Sequence, residues 1–385
     1  MVKHYASILC FILLFSFALE DSLNSIAPAR RNARLQDFLT DFDAFVHRTL
    51  NAWNMPGAAI TVVRNDTVVF LRSYGVRERG KPDPIDEHTV FRTASVSKGF
   101  AAALSGLLVR ENLLNWEDPV TDYCRDFRLA DSSHTNGITV EHLLSHTTGL
   151  MPHAYDDLLE ADVPYSRIIA GLPEVPIIGP PGECYGYQNV LFSLIGKILE
   201  KATGETFEEL LRSRIFDPLG MCDASVGWDA YQASENRVRP HKRRYYRYAP
   251  TRDKKAYYAV LPAAGVNASI SDMARWLRAM MGGFPDILPP SIIEEITTPR
   301  IITRRELRRF HWNGKLTDAH YGLGWRIFHY DGRVVIHHSG GIEGYMSEVS
   351  FLPEENIGIA VLFNAMPYDF LSPAFFDLYF TEIQS

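Results

Sequence analysis

The alternation of apolar and polar residues changes character twice along the chain. Leu35, Phe38, Leu39, Phe42, Phe45 and Val46 recur at three- and four-residue intervals, which predicts an amphipathic helix from Leu35 to Leu50. Two apolar runs follow, Gly57–Val63 and Thr67–Leu71, with Arg64-Asn65-Asp66 between them; they predict a β-hairpin. From Phe100 to Val109 the chain is rich in Ala and Leu and apolar most of the way round, the pattern of a buried helix. Between Trp116 and about Arg239 helical spacing dominates, over 140–144, 165–170, 190–202 and 206–215, punctuated by Gly179-Pro180-Pro181-Gly182 and Asp217-Pro218-Leu219-Gly220. Strand patterns then return. Ser271-Asp272 reads as the cap of a short helix from Met273 to Met280. Trp325–Tyr330 and Arg333–His338 flank Asp331-Gly332, a favoured two-residue hairpin turn. Tyr345–Leu352 and Ile357–Phe363 form a second strand pair, and Pro373–Ile383 a closing helix.

Strands at both ends with helices between predict an α/β (α+β) fold, in which one central antiparallel sheet draws strands from both chain ends and is flanked by helices. At 385 residues the chain is long for one compact core. The expected organisation is a leader over 1–18, an α/β lobe made of 30–115 and 260–385, and an all-helical inserted lobe over 116–259.

Composition narrows the field a little. A hydrophobic share of 46% and a charged share of 22% are those of an ordinary globular chain. A net charge of −7 gives no reason to expect nucleic acid or an anionic membrane as partner. Against that background the basic, aromatic stretch Arg237–Lys255 reads as a solvated loop, with an electropositive rim for anionic substrates as the functional alternative. Lys3 and His4, the apolar run Ile8–Phe17 and the small residues around Ala18 resemble a signal peptide. The mature chain is accordingly expected outside the cytoplasm, in a bacterial periplasm, with a retained N-terminal anchor as the alternative. Beyond the leader stand Cys124, Cys184 and Cys222, an odd number that permits one disulfide at most.

Three short segments carry the candidate chemistry. In Ser95-Val96-Ser97-Lys98, positions i and i+3 lie on one face of a helical turn, so the Lys98 ammonium can reach the Ser95 hydroxyl. A serine at a helix N-terminus also has unpaired N–H groups and the positive end of the dipole beside it, which favour developing negative charge. Tyr187-Gln188-Asn189 is the second segment, and His338-Ser339-Gly340-Gly341, at the end of a strand, the third. No Gly-x-Ser-x-Gly elbow, Ser-Asp-Asn motif or Gly-rich phosphate loop occurs. His142 and His146 stand four apart, but the stretch reads as a structural turn; no metal ligands and no cofactor are expected.

Taken in order, Ser-x-x-Lys, Tyr-x-Asn about ninety residues on, and His-Ser-Gly on a late strand resemble the serine hydrolases related to class C β-lactamases, D,D-peptidases and esterases. Glu141–Leu150, Pro181-Gly182-Glu183, Tyr321–Trp325 and Phe351-Leu352-Pro353 resemble the same family, so the likeness runs from about Met55 to Asn364. It implies that Ser95 forms an acyl-enzyme and that Lys98 and Tyr187 handle its proton. It further implies that Asn189 holds the substrate amide, that His338, Ser339 and Gly340 line the cleft, and that the N–H groups of Ser95 and Gly341 form the oxyanion hole. A phenol of pKa ~10 is ionised in about one molecule per thousand at neutral pH, and a cation ~4 Å away at an effective dielectric of ~20 supplies roughly the 4 kcal/mol needed to bring it to ~7. Tyr187 can therefore be the base if Lys98 stays charged; a neutral Lys98 is the rival base. Class C β-lactamases carry lysine where this chain has His338. A largely neutral imidazole binds carboxylate less strongly, which ranks peptidase or esterase chemistry on a small-molecule or peptide substrate above β-lactamase chemistry. The reading of a different class is a non-catalytic penicillin- or muropeptide-binding sensor.

Overall fold

The computed structural model describes residues 34–308, 312 and 314–383. The leader expected over 1–18 lies outside the described residues. The described residues form two units, one of 34–52 with 374–383 and the other of 53–373.

In the smaller unit, helix α1 (34–53) extends the periodicity read from Leu35 to Leu50. Phe38 and Phe42 meet Phe375 with ring centroids 5.6 and 5.1 Å apart, and Phe38 meets the edge of Tyr379 at 5.7 Å. These rings are the apolar stripe that the spacing requires.

The larger unit is built on an antiparallel sheet of eight strands. In chain order they are β1 (Gly57–Arg64), β2 (Thr67–Gly75), and then β8 (Ile301–Ile302), β9 (Leu316–Tyr321), β10 (Arg326–Tyr330), β11 (Arg333–Ile342), β12 (Tyr345–Leu352) and β13 (Ile357–Phe363). Their spatial order is β2-β1-β13-β12-β11-β10-β9-β8, so β1 pairs directly with β13 and the two chain ends close one sheet, as the pattern predicts. Every residue of β12 and β13 is buried, which is why they read as continuous apolar runs rather than alternating ones. The β10–β11 turn has φ 49° at Asp331 and 77° at Gly332, the two positive angles that make Asp-Gly favourable there.

Helix α2 (Ser97–Arg110) is buried from Ser97 to Leu108. Its close approach to the sheet side depends on Gly99, where a Cβ would stand 2.6 Å from the Trp325 ring. Phe100, next on the helix, stacks on Trp276 at 4.0 Å. Between α2 and β8 the chain is mostly helical, and it includes α3 (Asn189–Phe192), α4 (Leu194–Thr203) and α5 (Ile270–Met280). Short strands interrupt it: β4 (Ser225–Val226) and β7 (Val266–Ala268) join β3 (Phe91–Arg92) in a three-stranded sheet.

Two local expectations are corrected, and one open question is answered. The cap of α5 is Ser269, whose hydroxyl accepts from Asp272 N–H while the Asp272 carboxylate accepts from Ser269 N–H; Ser271-Asp272 lies one turn inside. The reciprocal pair satisfies two orphan donors at once, which Ser271 could not do. The basic stretch is not a loop: β5 (His241–Arg244) and β6 (Arg247–Pro250) form a hairpin with Tyr245 and Tyr246 exposed at its tip. The permitted disulfide does not form, and Cys124, Cys184 and Cys222 are all free.

One buried carboxyl of the larger unit holds the two residues, Leu371 and Ser372, at which the last helix, α6 (Leu371–Ile383), begins. Glu348 on β12 accepts from Leu371 N–H (3.1 Å), Ser372 N–H (3.0 Å) and the Ser372 hydroxyl (2.7 Å). Burial pushes it up from 4.5 to about 7 despite those hydrogen bonds. A group that binds its proton more tightly when folded contributes stability below its unfolded pKa and loses it as pH rises through the folded one. Between pH 4.5 and 7 this amounts to roughly 3 kcal/mol. Urea melts of Glu348→Gln are expected to depend less on pH over that window than those of the parent; parallel curves would refute the assignment.

Candidate active site

The turn that carries Ser95 is short, tight and clamped. It is not the first turn of an α-helix, as the sequence suggests, but a 3₁₀ turn over Ala94–Val96 that leads into α2. Ala94 enters it at φ 47°, in the left-handed region that costs a non-glycine residue about 1 kcal/mol or more. Such a conformation persists only where the surroundings impose it, and here they do. The Thr93 hydroxyl donates to Val266 O (2.8 Å), the Ser97 hydroxyl accepts from Val266 N–H (3.0 Å), and the Ser347 hydroxyl donates to Thr93 O. On the remaining side lies Gly340 of β11, where a Cβ would stand 2.3 Å from Thr93 O and 2.7 Å from Ser95 N. Only glycine lets the strand lie this close to the nucleophile's backbone. Gly341, one residue on, is exposed, and Ser339 lends its carbonyl to His338.

Lys98 is fully buried and its Nζ donates to three oxygens: Ser95 Oγ at 3.3 Å, Asn189 Oδ1 at 2.8 Å and Ala263 O at 3.0 Å. The orientation of the Asn189 amide is settled by chemistry, because its Nδ2 donates to both carboxylate oxygens of Asp156 (3.1 and 3.0 Å). Oδ1 must then face Lys98. Both ends of the amide that the family likeness assigns to substrate are thus engaged within the chain itself. The Tyr187 ring lies beside the same ammonium, its centre 4.8 Å from Lys98 Nζ, and both Lys98 and the Ser95 hydroxyl favour the anionic form of its phenol. The three segments identified in the sequence do converge.

The electrostatics follow from burial and from two cations. Burial lowers Lys98 below the ordinary lysine value, with the Tyr187 phenol opposing. For Tyr187 burial acts upward, but Lys98, Arg326 and the hydrogen bonds from Lys98 and Ser95 outweigh it, so the phenol lies below its ordinary value. Arg326, at the start of β10, carries no motif and is the chief residue that sequence reasoning missed. Its guanidinium carbon lies 5.3 Å from the centre of the Tyr187 ring and 5.6 Å from that of Tyr321. Burial opposes its charge, yet Glu306, with Oε2 3.6 Å from Nε, and the surrounding phenols hold it above the ordinary arginine value. The available clue was position alone: Arg326 follows directly on the family-like stretch Tyr321–Trp325.

His338 is fully buried and its tautomer is dictated by its partners. Nδ1–H donates to Ser339 O at 2.8 Å, so Nε2 is the acceptor for Arg326 Nη1 (3.2 Å) and the Tyr321 hydroxyl (3.1 Å). Burial, then Arg326 and Lys98, hold the imidazole well below its usual range, so it is neutral. His146 lies behind Tyr187, ring centres 4.3 Å apart, and its Nδ1 accepts from Gln188 N–H at 3.2 Å. Burial and the same two cations keep it neutral as well. His142 does what a structural turn needs: Nδ1 accepts from Thr139 N–H, completing a capping box. The two cations around one phenol favour its anion, beside a serine hydroxyl.

The Beta-lactamase family model matches residues 42–375. An unguisins hydrolase of Aspergillus campestris is 28% identical over 338 residues, which cover 84% of this chain and 61% of that protein. A protein named beta-lactamase from Escherichia coli K12 is 26% identical over 360 residues, covering 83% of this chain and 88% of its own length. The chain thus spans about three-fifths (61%) of the length of the Aspergillus relatives it matches. In fold, the penicillin-binding protein homologue of Pyrococcus abyssi superposes with a TM-score of 0.77 at 24% identity, over 90% of this chain and 77% of that one. The penicillin-binding protein of Bacillus halodurans gives 0.67 at 23%, over 87% and 97%. With a family match that takes in nearly the whole described chain, the protein belongs to the Beta-lactamase family.

Proposed function

We propose that the chain hydrolyses D-amino-acid peptides, as a D,D-peptidase or related D-amino-acid peptidase, or small acyl esters, through an acyl-enzyme on Ser95. The observation that carries this reading is Lys98 Nζ, 3.3 Å from Ser95 Oγ and 4.8 Å from the centre of the Tyr187 ring. In the first half-reaction the Tyr187 oxygen, held anionic by Lys98 and Arg326, takes the Ser95 proton as Oγ attacks the carbonyl carbon. The oxyanion sits on the N–H groups of Ser95 and Gly341, and the proton passes to the leaving amine or alkoxide. In the second, water gives its proton to Tyr187 and attacks the acyl carbon, and Ser95 recovers its hydrogen as the acid departs.

The ranking above β-lactam turnover rests on His338, whose ring nitrogens are both committed and whose charge is suppressed, so it offers a substrate carboxylate no cation. Beyond the end of β11, Ile342 borders a cavity that is also lined by Arg92, Glu160, Lys254 and Tyr257, with charges of both signs suited to a peptide. The deciding experiment is intact-protein and peptide mass spectrometry after exposure to p-nitrophenyl acetate and to a fluorescent penicillin. An acyl adduct on the Ser95 peptide that forms and turns over supports the proposal. A lasting adduct from both would make the protein a sensor, and no adduct from either would refute the mechanism.

Arg326 gives a pH prediction. If its charge helps to hold the Tyr187 anion, Arg326→Gln raises the phenol's pKa and moves the acid limb of kcat/KM to higher pH, whereas Arg326→Lys leaves the limb near its place. An unmoved limb in the glutamine variant would remove Arg326 from the proton relay.

A further inference from the structure

Away from the catalytic cluster, the register of β9 against β10 gathers three metal-ligating side chains. Asp318 and His320 are two apart on β9 and share a face, and His329 on β10 is the direct cross-strand partner of Asp318. Donor atoms of all three lie within 4.8 Å of one another. His320 Nε2 is 3.8 Å from Asp318 Oδ2, too far for a hydrogen bond, and the two imidazole centres are 6.3 Å apart. His320 Nδ1 is buried with no hydrogen-bond partner. All three residues are half-buried, so water can reach the space between them.

We propose that Asp318, His320 and His329 form a binding site for a divalent first-row transition-metal ion, zinc above all, with water in the remaining positions. Two imidazoles and one carboxylate are a borderline donor set; magnesium and calcium demand oxygen ligands throughout. Zinc bonds to nitrogen and oxygen at about 2.0–2.2 Å, which puts neighbouring donors about 3.4 Å apart in a tetrahedral site. Rotation of the three partly exposed side chains closes the present spacing by about an ångström, while the paired strands beneath stay fixed. An ion there would pin β9 to β10 beside Tyr321 and Arg326, which are themselves cross-strand partners and both bond to His338 Nε2.

The test uses the full chain, stripped with EDTA, in the Ser95→Ala background so that catalysis plays no part. Zinc is titrated by calorimetry, and Co²⁺ is added separately to read coordination from its visible spectrum. One equivalent of zinc is expected to bind, with affinity falling at least tenfold in His320→Ala and in His329→Ala and the Co²⁺ spectrum losing intensity in both. Asp318→Asn, which keeps the side chain's shape, guards against loss through misfolding and is expected to weaken binding as well. Absence of stoichiometric binding, or binding that persists unchanged in all three variants, would overturn the site.

Discussion

Ser95→Ala is expected to lower turnover of every substrate by at least a thousandfold and to leave the fold intact. Loss of a nucleophile leaves only what binding and the oxyanion hole can supply, and in serine hydrolases that costs several orders of magnitude. The structure also explains why the change should be harmless to stability. Ser95 is half-buried, its hydroxyl accepts from Lys98 at 3.3 Å, and Lys98 keeps Asn189 Oδ1 and Ala263 O as acceptors. The clamp on the turn runs through Thr93, Ser97, Gly340 and Ser347, none of which is touched. A thermal melt should therefore match the parent's to within about 1 kcal/mol, and mass spectrometry should find no acyl adduct. Residual turnover above about 1% would mean that the nucleophile lies elsewhere.

Tyr187→Phe comes next, with an expected fall in kcat of about a hundredfold or more, the usual scale for a lost general base. The ring stays, so its contacts with His146 and His153 survive and only the phenolic oxygen goes. Because Lys98, Arg326 and Ser95 all favour the anion of that oxygen, its removal also ends the route by which the two cations together act on the Ser95 proton. A near-normal rate would transfer the base role to Lys98 alone. Lys98 could assume it in the neutral form, donating its two hydrogens to Asn189 Oδ1 and Ala263 O and accepting from Ser95. The pH profile of the surviving activity would then follow the lysine, whose pKa burial lowers. Single-turnover rates across pH distinguish the two bases.

Much of the fold was legible because its determinants are local. Asp331-Gly332 needs two positive φ angles, and few other pairs accept them, so the hairpin was readable from two residues. β12 and β13 were readable as unbroken apolar runs because both of their faces are covered. The basic hairpin at 241–250 was not, since its polar alternation has no apolar face to reveal it. Nor was the 3₁₀ turn at Ser95, whose shape is imposed by β7, β11 and β12 and not by its own residues.

The site divides along the same line. Ser95 and Lys98 are three apart, and one turn of chain brings them together whatever surrounds them. Spacing along the chain also singled out Tyr187, Asn189 and His338 as a set, through their likeness to a family. Arg326, Asp156, the Ala263 carbonyl and the neutral state of His338 are another matter, as are the three side chains gathered across β9 and β10. A side chain's charge depends on which groups stand within a few ångströms and how much water is left between them. That is decided when distant segments pack, so the sequence by itself determined which residues could react, and the tertiary structure decided what protonation state and which neighbours they have.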